Sequence, residues 1–181
     1  MKWVEVAPGI LQLPARPRSH ARSHAYLLES TEGLLLVEPA HSDSETEEWI
    51  ALVRDRKPRA IVLTHHHLDH TYGVERIQEA TKIDVWSPPR GAPTEYTPHQ
   101  QYEITRELGE SDDLGGWSVL RTPGHEDEHL VFYREGVLIS GDAMKTGLGS
   151  PDEFLASMKR IMALDPEIVF PAHGLPMRRT P

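Results

Sequence analysis

A sheet-rich α/β sandwich is the fold class this sequence predicts, on three observations. Strand-like and helix-like stretches are mixed without the strict alternation of a doubly wound sheet. The first third alternates and turns as β structure does. A length of 181 residues fits one domain over 1–181, and a hydrophobic content of 38% is enough for a real core.

The elements follow in chain order. Trp3–Val6, Ile10–Leu13, Ala25–Leu28 and Leu34–Val37 read as short strands. Pro8-Gly9, the loop Pro14–Ser23 and Thr31-Glu32-Gly33 punctuate them. Ser42–Lys57 reads as a helix, with Ser42 or Ser44 as cap, acids in its first turns and an apolar face of Trp49, Ile50, Leu52 and Val53. Pro58 ends it, and Ala60–Leu63 is a buried strand. Tyr72–Thr81 is a shorter helix, Ile83–Trp86 a strand, and Ser87–Pro98 a Pro-rich loop. His99–Leu108 is ambiguous, a helix being one reading. Trp117–Arg121, Leu130–Tyr133, Val137–Ser140 and Ile168–Phe170 read as strands. Asp152–Leu164 is a helix started by Pro151, with Phe154, Leu155, Met158, Ile161 and Met162 expected to face inward.

Composition narrows the function. A net charge of −9 argues against non-specific binding to nucleic acid or to an anionic membrane, which needs a basic surface. No stretch approaches the ~20 apolar residues of a membrane span, and the first residues form no apolar leader. The expectation is a cytoplasmic protein acting on a small-molecule substrate, with a homodimer left open. With no cysteine there can be no thiolate metal site and no Cys nucleophile. Any metal must be held by His and carboxylate.

Such ligands are concentrated at Thr64-His65-His66-His67-Leu68-Asp69-His70, directly after an apolar run. Read as His65-x-His67-x-Asp69-His70, it packs four ligand-type side chains into six residues. Free shuffling of this composition would give about 0.002 such patterns in a chain this long. Imidazole and carboxylate at this density suit Zn²⁺ or a similar first-row ion. Three further candidates each stand just past a predicted strand: His125 in Thr122-Pro123-Gly124-His125, Asp142 after Gly141, and His173 in Pro171-Ala172-His173-Gly174. Strand-end loops on a rigid scaffold are where chemistry is usually placed.

Together, in this order, these motifs resemble those of the metallo-β-lactamase-fold superfamily of metallohydrolases, with glyoxalase II-like metal motifs. The resemblance spans nearly the whole chain. It implies an α+β or α/β fold, a four-layer αβ/βα sandwich of two mixed β-sheets flanked by helices, with a two-metal site at its upper edge. It implies that His65, His67 and His125 hold the first metal, that Asp69, His70 and His173 hold the second, and that Asp142 bridges them. Asp69 and Asp142 are then the candidate catalytic carboxylates, and a hydroxide between two divalent ions is the nucleophile. Zn²⁺ is the first choice of metal, with Fe or Mn as alternatives. Hydrolysis of a thioester, lactone or related ester is favoured. A di-iron redox protein, a phosphodiesterase and a non-catalytic metal-binding module are the rivals. The helical domain that glyoxalase II uses for its glutathione thioester is not expected in this sequence.

Several positions depart from the common pattern. His125-Glu126-Asp127-Glu128-His129 also satisfies the zinc-protease motif His-Glu-x-x-His, yet Pro123-Gly124 before it and a strand-like run after it leave too short a helix. His129 instead matches a His often found four residues beyond the ligand, whereas Glu126-Asp127-Glu128 replaces residues that are usually small and neutral. Glu38 stands where an Asp is usual and is expected to orient a metal-binding His through its far nitrogen. His66 is expected to be supporting or structural. Tyr72, in place of a Gly, and Lys145, in place of an aromatic, are candidate substrate-binding residues. So are Arg16, Arg18 and Arg22, in a loop that could act as a lid for an anionic group.

Overall fold

The computed structural model describes residues 2–15, 23–40, 45–92, 94–97, 101–147 and 149–179. The loop residues Arg16, Arg18 and Arg22, the capping candidates Ser42 and Ser44, and His99 lie outside the described residues.

Two mixed sheets carry the fold. The first has seven strands in sequence order. Its antiparallel half is β1 (Val4–Ala7), β2 (Ile10–Leu13), β3 (Ala25–Ser30) and β4 (Gly33–Val37). The helix α1 (Thr46–Arg56) then leads to β5 (Ala60–Val62), which lies parallel to β4. Two helices follow, α2 (Leu68–Thr71) and α3 (Val74–Thr81), and then the parallel strands β6 (Asp84–Ser87) and β7 (Arg106–Glu107). The second sheet contains β8 (Ser118–Arg121), β9 (Leu130–Arg134), β10 (Val137–Gly141), β11 (Ile168–Pro171) and β12 (Met177–Arg178), with α4 (Pro151–Ala163) crossing between β10 and β11.

Alternation of side chains along the strands builds the layers. Tyr26, Leu28, Leu35, Val37 and Val62 point one way and meet Val119, Phe132, Ile139 and Phe170 of the second sheet. Leu27, Leu36, Ile61 and Val85 point the other way and meet Trp49 and Val53 of α1 and Val74 and Ile77 of α3. On the far face of the second sheet, Val131, Leu138 and Val169 meet Met158 and Ile161 of α4. The order is therefore helix, sheet, sheet, helix. Each buried aromatic removes on the order of 150–250 Å² from water. At ~25 cal/mol per Å² that is about 4–6 kcal/mol apiece before entropy is counted. Tyr26 and Phe170, with ring centroids 6.0 Å apart, tie the sheets together at the centre.

The structure adjusts three readings. The helix read at Tyr72–Thr81 is present as α3 but starts two residues later, at Val74, because Gly73 turns left-handed (φ 88°) after α2 ends at Thr71. Of His99–Leu108, the described residues 101–108 contain the two-residue strand β7, which completes the sheet edge beside β6. Of the helix read at Ser42–Lys57, the described part is α1, and the stretch before Glu45 lies outside the described residues. On α4, Leu155 and Met162 are exposed (56% and 75%). The inward stripe runs Phe154, Ser157, Met158, Ile161, which is narrower than the apolar set.

Topology also gathers the chemistry. Strands β10 and β11 are parallel, and β9 is antiparallel to both β8 and β10, so β8, β10 and β11 all point the same way. Their leaving ends open into His125, Asp142 and His173. Strands β4 and β5 likewise run together and open into Glu38 and His65. Contacts between the sheets lock these rims together: Leu130 N–H donates to Thr64 O (2.8 Å), His24 N–H to Ala172 O (2.7 Å) and Tyr26 O–H to Pro171 O (2.5 Å).

Candidate metal centre

Two trios of donor atoms converge on this rim, each within 4.8 Å of one another: His65, His67 and His125, and Asp69, His70 and His173. In the first, His67 Nδ1 lies 3.0 Å from His125 Nε2. In the second, His173 Nε2 lies 3.2 Å from Asp69 Oδ2, and His70 Nε2 lies 3.7 Å from the same oxygen. Asp142 stands between them. Its Oδ2 is 3.5 Å from His125 Nε2 and 3.6 Å from His70 Nε2, and its Oδ1 is 3.4 Å from His173 Nε2.

Outward nitrogens are held by supporting groups that fix which nitrogen faces in. The Thr64 hydroxyl donates to Glu38 Oε1, so its oxygen accepts from His65 Nδ1–H (3.0 Å), leaving His65 Nε2 for the centre. Glu38 Oε2 lies 3.1 Å from His70 Nδ1, which leaves His70 Nε2 inward. Glu38 is fully buried and holds a left-handed backbone (φ 50°), a conformation that non-glycine residues adopt at a cost. The expected role of Glu38, through a far nitrogen of a ligand-type His, is the geometry observed. A third cluster, Glu38 with His65 and His70, is this carboxylate and the two imidazoles it steadies.

His129 uses both nitrogens in support. Asp142 N–H donates to Nε2 (3.2 Å), so Nδ1 carries the proton and donates to Thr122 Oγ1 (2.9 Å). It thereby fixes the backbone of Asp142. Residues 125–129 form turns rather than a helix, so the zinc-protease geometry is absent there. His66 points away from the trios. Its Nε2–H donates to Pro88 O (2.9 Å) and its Nδ1 accepts from Tyr102 O–H (2.8 Å). That makes it structural.

The donors fit a cation on their own geometry. His65 Nε2, His70 Nε2 and Asp142 Oδ1 are buried and have no hydrogen-bond partner among the described residues. Each unmet buried polar atom costs ~1–3 kcal/mol, and a shared cation satisfies several at once. The donors are all nitrogen and oxygen, as suits Zn²⁺ or another divalent first-row ion.

Protonation follows the same pattern. Burial, reinforced by neighbouring imidazoles, pushes His65 well below its ordinary value, and burial also lowers His125. Burial opposes charge on His70 too, but Glu38 and Asp142 outweigh it and push its pKa up to about 10. Asp69 is drawn down to about 2, its burial outweighed by His173 and His70. Burial of Asp142 is likewise outweighed, by His70, His173 and Lys145, so its carboxyl stays ionised. At neutral pH the metal-free chain therefore holds His70 charged and His65 and His125 neutral. Occupying His70 Nε2 must expel a proton, so metal affinity falls as pH falls. Calorimetric titration with Zn²⁺ at pH 7, in buffers of different ionisation enthalpy, should register release of at least about one proton per chain. Uptake without proton release would contradict this assignment.

The remaining candidates are spread around the rim. Lys145 Nζ lies 3.0 Å from Asp142 Oδ2, on a half-exposed side chain. Tyr72 sits half-buried at the α2–α3 corner, its N–H donating to Leu68 O (2.8 Å). The feet of the Arg-rich loop rest on the centre. Ser23 Oγ donates to Asp69 O (2.7 Å), and His24 accepts from Ala15 N–H (2.8 Å) while donating to Gly174 O (2.7 Å). Sequence reasoning missed these anchors. It also missed Tyr96, whose exposed ring lies 5.6 Å from that of His67. Thr64 and Thr122 carried a signal, since each stands just past a strand, β5 or β8, that leads to a candidate ligand. Tyr96, in a Pro-rich loop, carried none.

Comparison with known proteins places this geometry. The family model described as the metallo-beta-lactamase superfamily matches residues 21–173. The hydroxyacylglutathione hydrolase of Idiomarina loihiensis is 32% identical over 151 residues, covering 77% of this chain and 56% of that protein. The chain thus spans little more than half the length of that curated relative. The crystal structure of TTHA1623 in a di-iron-bound form is 30% identical, with a TM-score of 0.76 over 92% of this chain and 93% of that one. The BLEG-1 B3 metallo-beta-lactamase, 24% identical, shares the fold at a TM-score of 0.72 over 93% of each chain.

Proposed function

The chain belongs to the metallo-β-lactamase superfamily, and from that premise we propose that it is a binuclear metal-dependent hydrolase of a small-molecule thioester, lactone or other ester. One observation carries the proposal: two donor trios share a buried carboxylate, Asp142, that reaches both. His65, His67 and His125 would hold the first metal, Asp69, His70 and His173 the second, with Asp142 between them. When bound, such a pair polarises a carbonyl oxygen and acidifies a water as nucleophile. Zn²⁺ is the metal this donor set suits first.

The chain's own residues supply position and charge. Glu38 and Thr64 hold His70 and His65 with their Nε2 atoms inward, and His129 holds the Asp142 backbone. Lys145, an exposed cation 3.0 Å from Asp142, stands where it can meet an anionic group of the substrate. The thioester class is supported by a relative named for hydroxyacylglutathione hydrolysis. A di-iron redox protein is the second reading, favoured by the di-iron-bound form of the 30%-identical TTHA1623.

Elemental analysis of the purified protein, followed by a panel of thioesters, lactones, phosphodiesters and β-lactams, tests the proposal. About two Zn per chain with turnover of a thioester or lactone is the expected result. About two Fe with a visible charge-transfer band would move the assignment to redox chemistry. A chain that binds metal but is inert on the whole panel would overturn the hydrolase reading.

A further inference from the structure

We propose that Glu126 is a positioning residue for the first metal, its carboxylate holding the outward nitrogen of His67 so that the inward nitrogen is presented to the ion. The inference rests on the reading of His67 as a ligand. His67 turns Nδ1 toward His125 Nε2, 3.0 Å away, which makes Nε2 its outward atom. Glu126 Oε1 lies 2.9 Å from that Nε2, both side chains being largely buried. The approach is close in distance but off the hydrogen-bond axis.

Glu126 is singled out within its own acidic run. Glu128 is turned away and paired with Arg121 Nη2 at 2.9 Å, and the same guanidinium donates to Asp127 O (3.1 Å). The Asp127 side chain is exposed. The turn is closed by the N–H groups of Gly124 and His129, both donating to Glu126 O (3.3 and 3.4 Å). Three consecutive acids beside the centre therefore deliver one carboxylate to it. Tyr96 restrains the same His67 ring from another side, at 5.6 Å.

The other members of the first trio are supported differently. His65 meets a neutral hydroxyl, Thr64, on its outward nitrogen. His125 Nδ1 faces the backbone of Gly147, where an added Cβ would fall 2.7 Å from it. Within the trio, the direct carboxylate contact to an outward nitrogen found among the described residues belongs to His67. A carboxylate there keeps the proton on Nε2, leaves the Nδ1 lone pair inward, and makes the imidazole a stronger donor.

The test is metal binding, apart from turnover. The wild-type chain, E126Q, E126A and the exposed control D127N are stripped of metal. Each is titrated with Zn²⁺ against a chromophoric chelator and loaded with Co²⁺ for its absorption spectrum, with circular dichroism confirming the fold. E126A should bind one of its ions about 10–100-fold more weakly, with a displaced cobalt band. E126Q, which keeps an acceptor oxygen, should recover part of both. D127N should match wild type. Wild-type affinity and an unshifted band in folded E126A would overturn the inference and leave the metal centre standing. A wild-type chain that takes up no metal would overturn the centre itself, and the inference with it.

Discussion

Replacing Asp142 with Ala is expected to strip at least one of two metals from each chain and to lower turnover about a thousandfold, a loss of about 4 kcal/mol of transition-state stabilisation. Asp142 is the carboxylate that touches both donor sets, at 3.5 Å from His125 Nε2 and 3.6 Å from His70 Nε2 through one oxygen. Its other oxygen faces His173 Nε2 at 3.4 Å. Without it the two trios lose their shared anion, and Lys145 Nζ, now 3.0 Å from Oδ2, loses its partner at the rim. His70 loses one of the two carboxylates that keep it charged, retaining Glu38. The backbone N–H that donates to His129 remains, so folding should survive. D142N, which preserves shape but not charge, should fall between. The measurements are metal content by mass spectrometry and kcat on the best substrate of the panel. Full activity with both metals retained in D142A would end the bridging role.

How much of this was legible in the residues depends on the range of the forces involved. The strands that carry the chemistry were readable because each apolar run is local and each candidate ligand follows it directly: Ala60–Val62 before His65, Val137–Gly141 before Asp142, Ile168–Pro171 before His173. Their convergence is a matter of parallel topology, and it appears once β8, β10 and β11 are seen to run together. The two-residue strands β7 and β12 had no periodicity to betray them, being pairings made by tertiary contact. Leu155 and Met162 misled because an apolar helical stripe does not say how much of itself a sheet will cover. In the centre, the supporting role of Glu38 could be anticipated from the resemblance, in which an acid follows the strand that is β4 here. The aim of Glu126 could not, because it is set by a turn whose hydrogen bonds close on residues 124 and 129. Tyr96 reaches His67 from about thirty residues away, through a loop whose sequence shows only that it is a loop.

Gly124→Ala is expected to be strongly destabilising, at about 4 kcal/mol, and to weaken metal binding with it. Two costs combine. Gly124 has φ +131°, a conformation open to glycine and closed to alanine. Such strain is of order 1–3 kcal/mol. An added Cβ would also fall 2.4 Å from Phe154 Cα and 2.7 Å from Phe154 N, backbone atoms of α4 that no rotamer change can move. Overpacking of this kind costs typically ~1–3 kcal/mol more. The damage lands on the site because α4 clamps the loop that delivers His125. Ser157 Oγ donates to Pro123 O (2.7 Å), and Arg160 Nη1 donates to Arg121 O (2.8 Å). Pushing α4 outward loosens both clamps, and His125 moves with them relative to His67. Gly109→Ala is the matched control, since nothing lies within 4 Å of its added Cβ and its φ is outside the left-handed region. Chemical denaturation should show a large drop in midpoint for G124A and almost none for G109A. Competition titration should show weakened metal uptake in G124A alone. A G124A chain with wild-type midpoint and affinity would mean that the contact between α4 and the Thr122–His125 loop does not control where His125 sits.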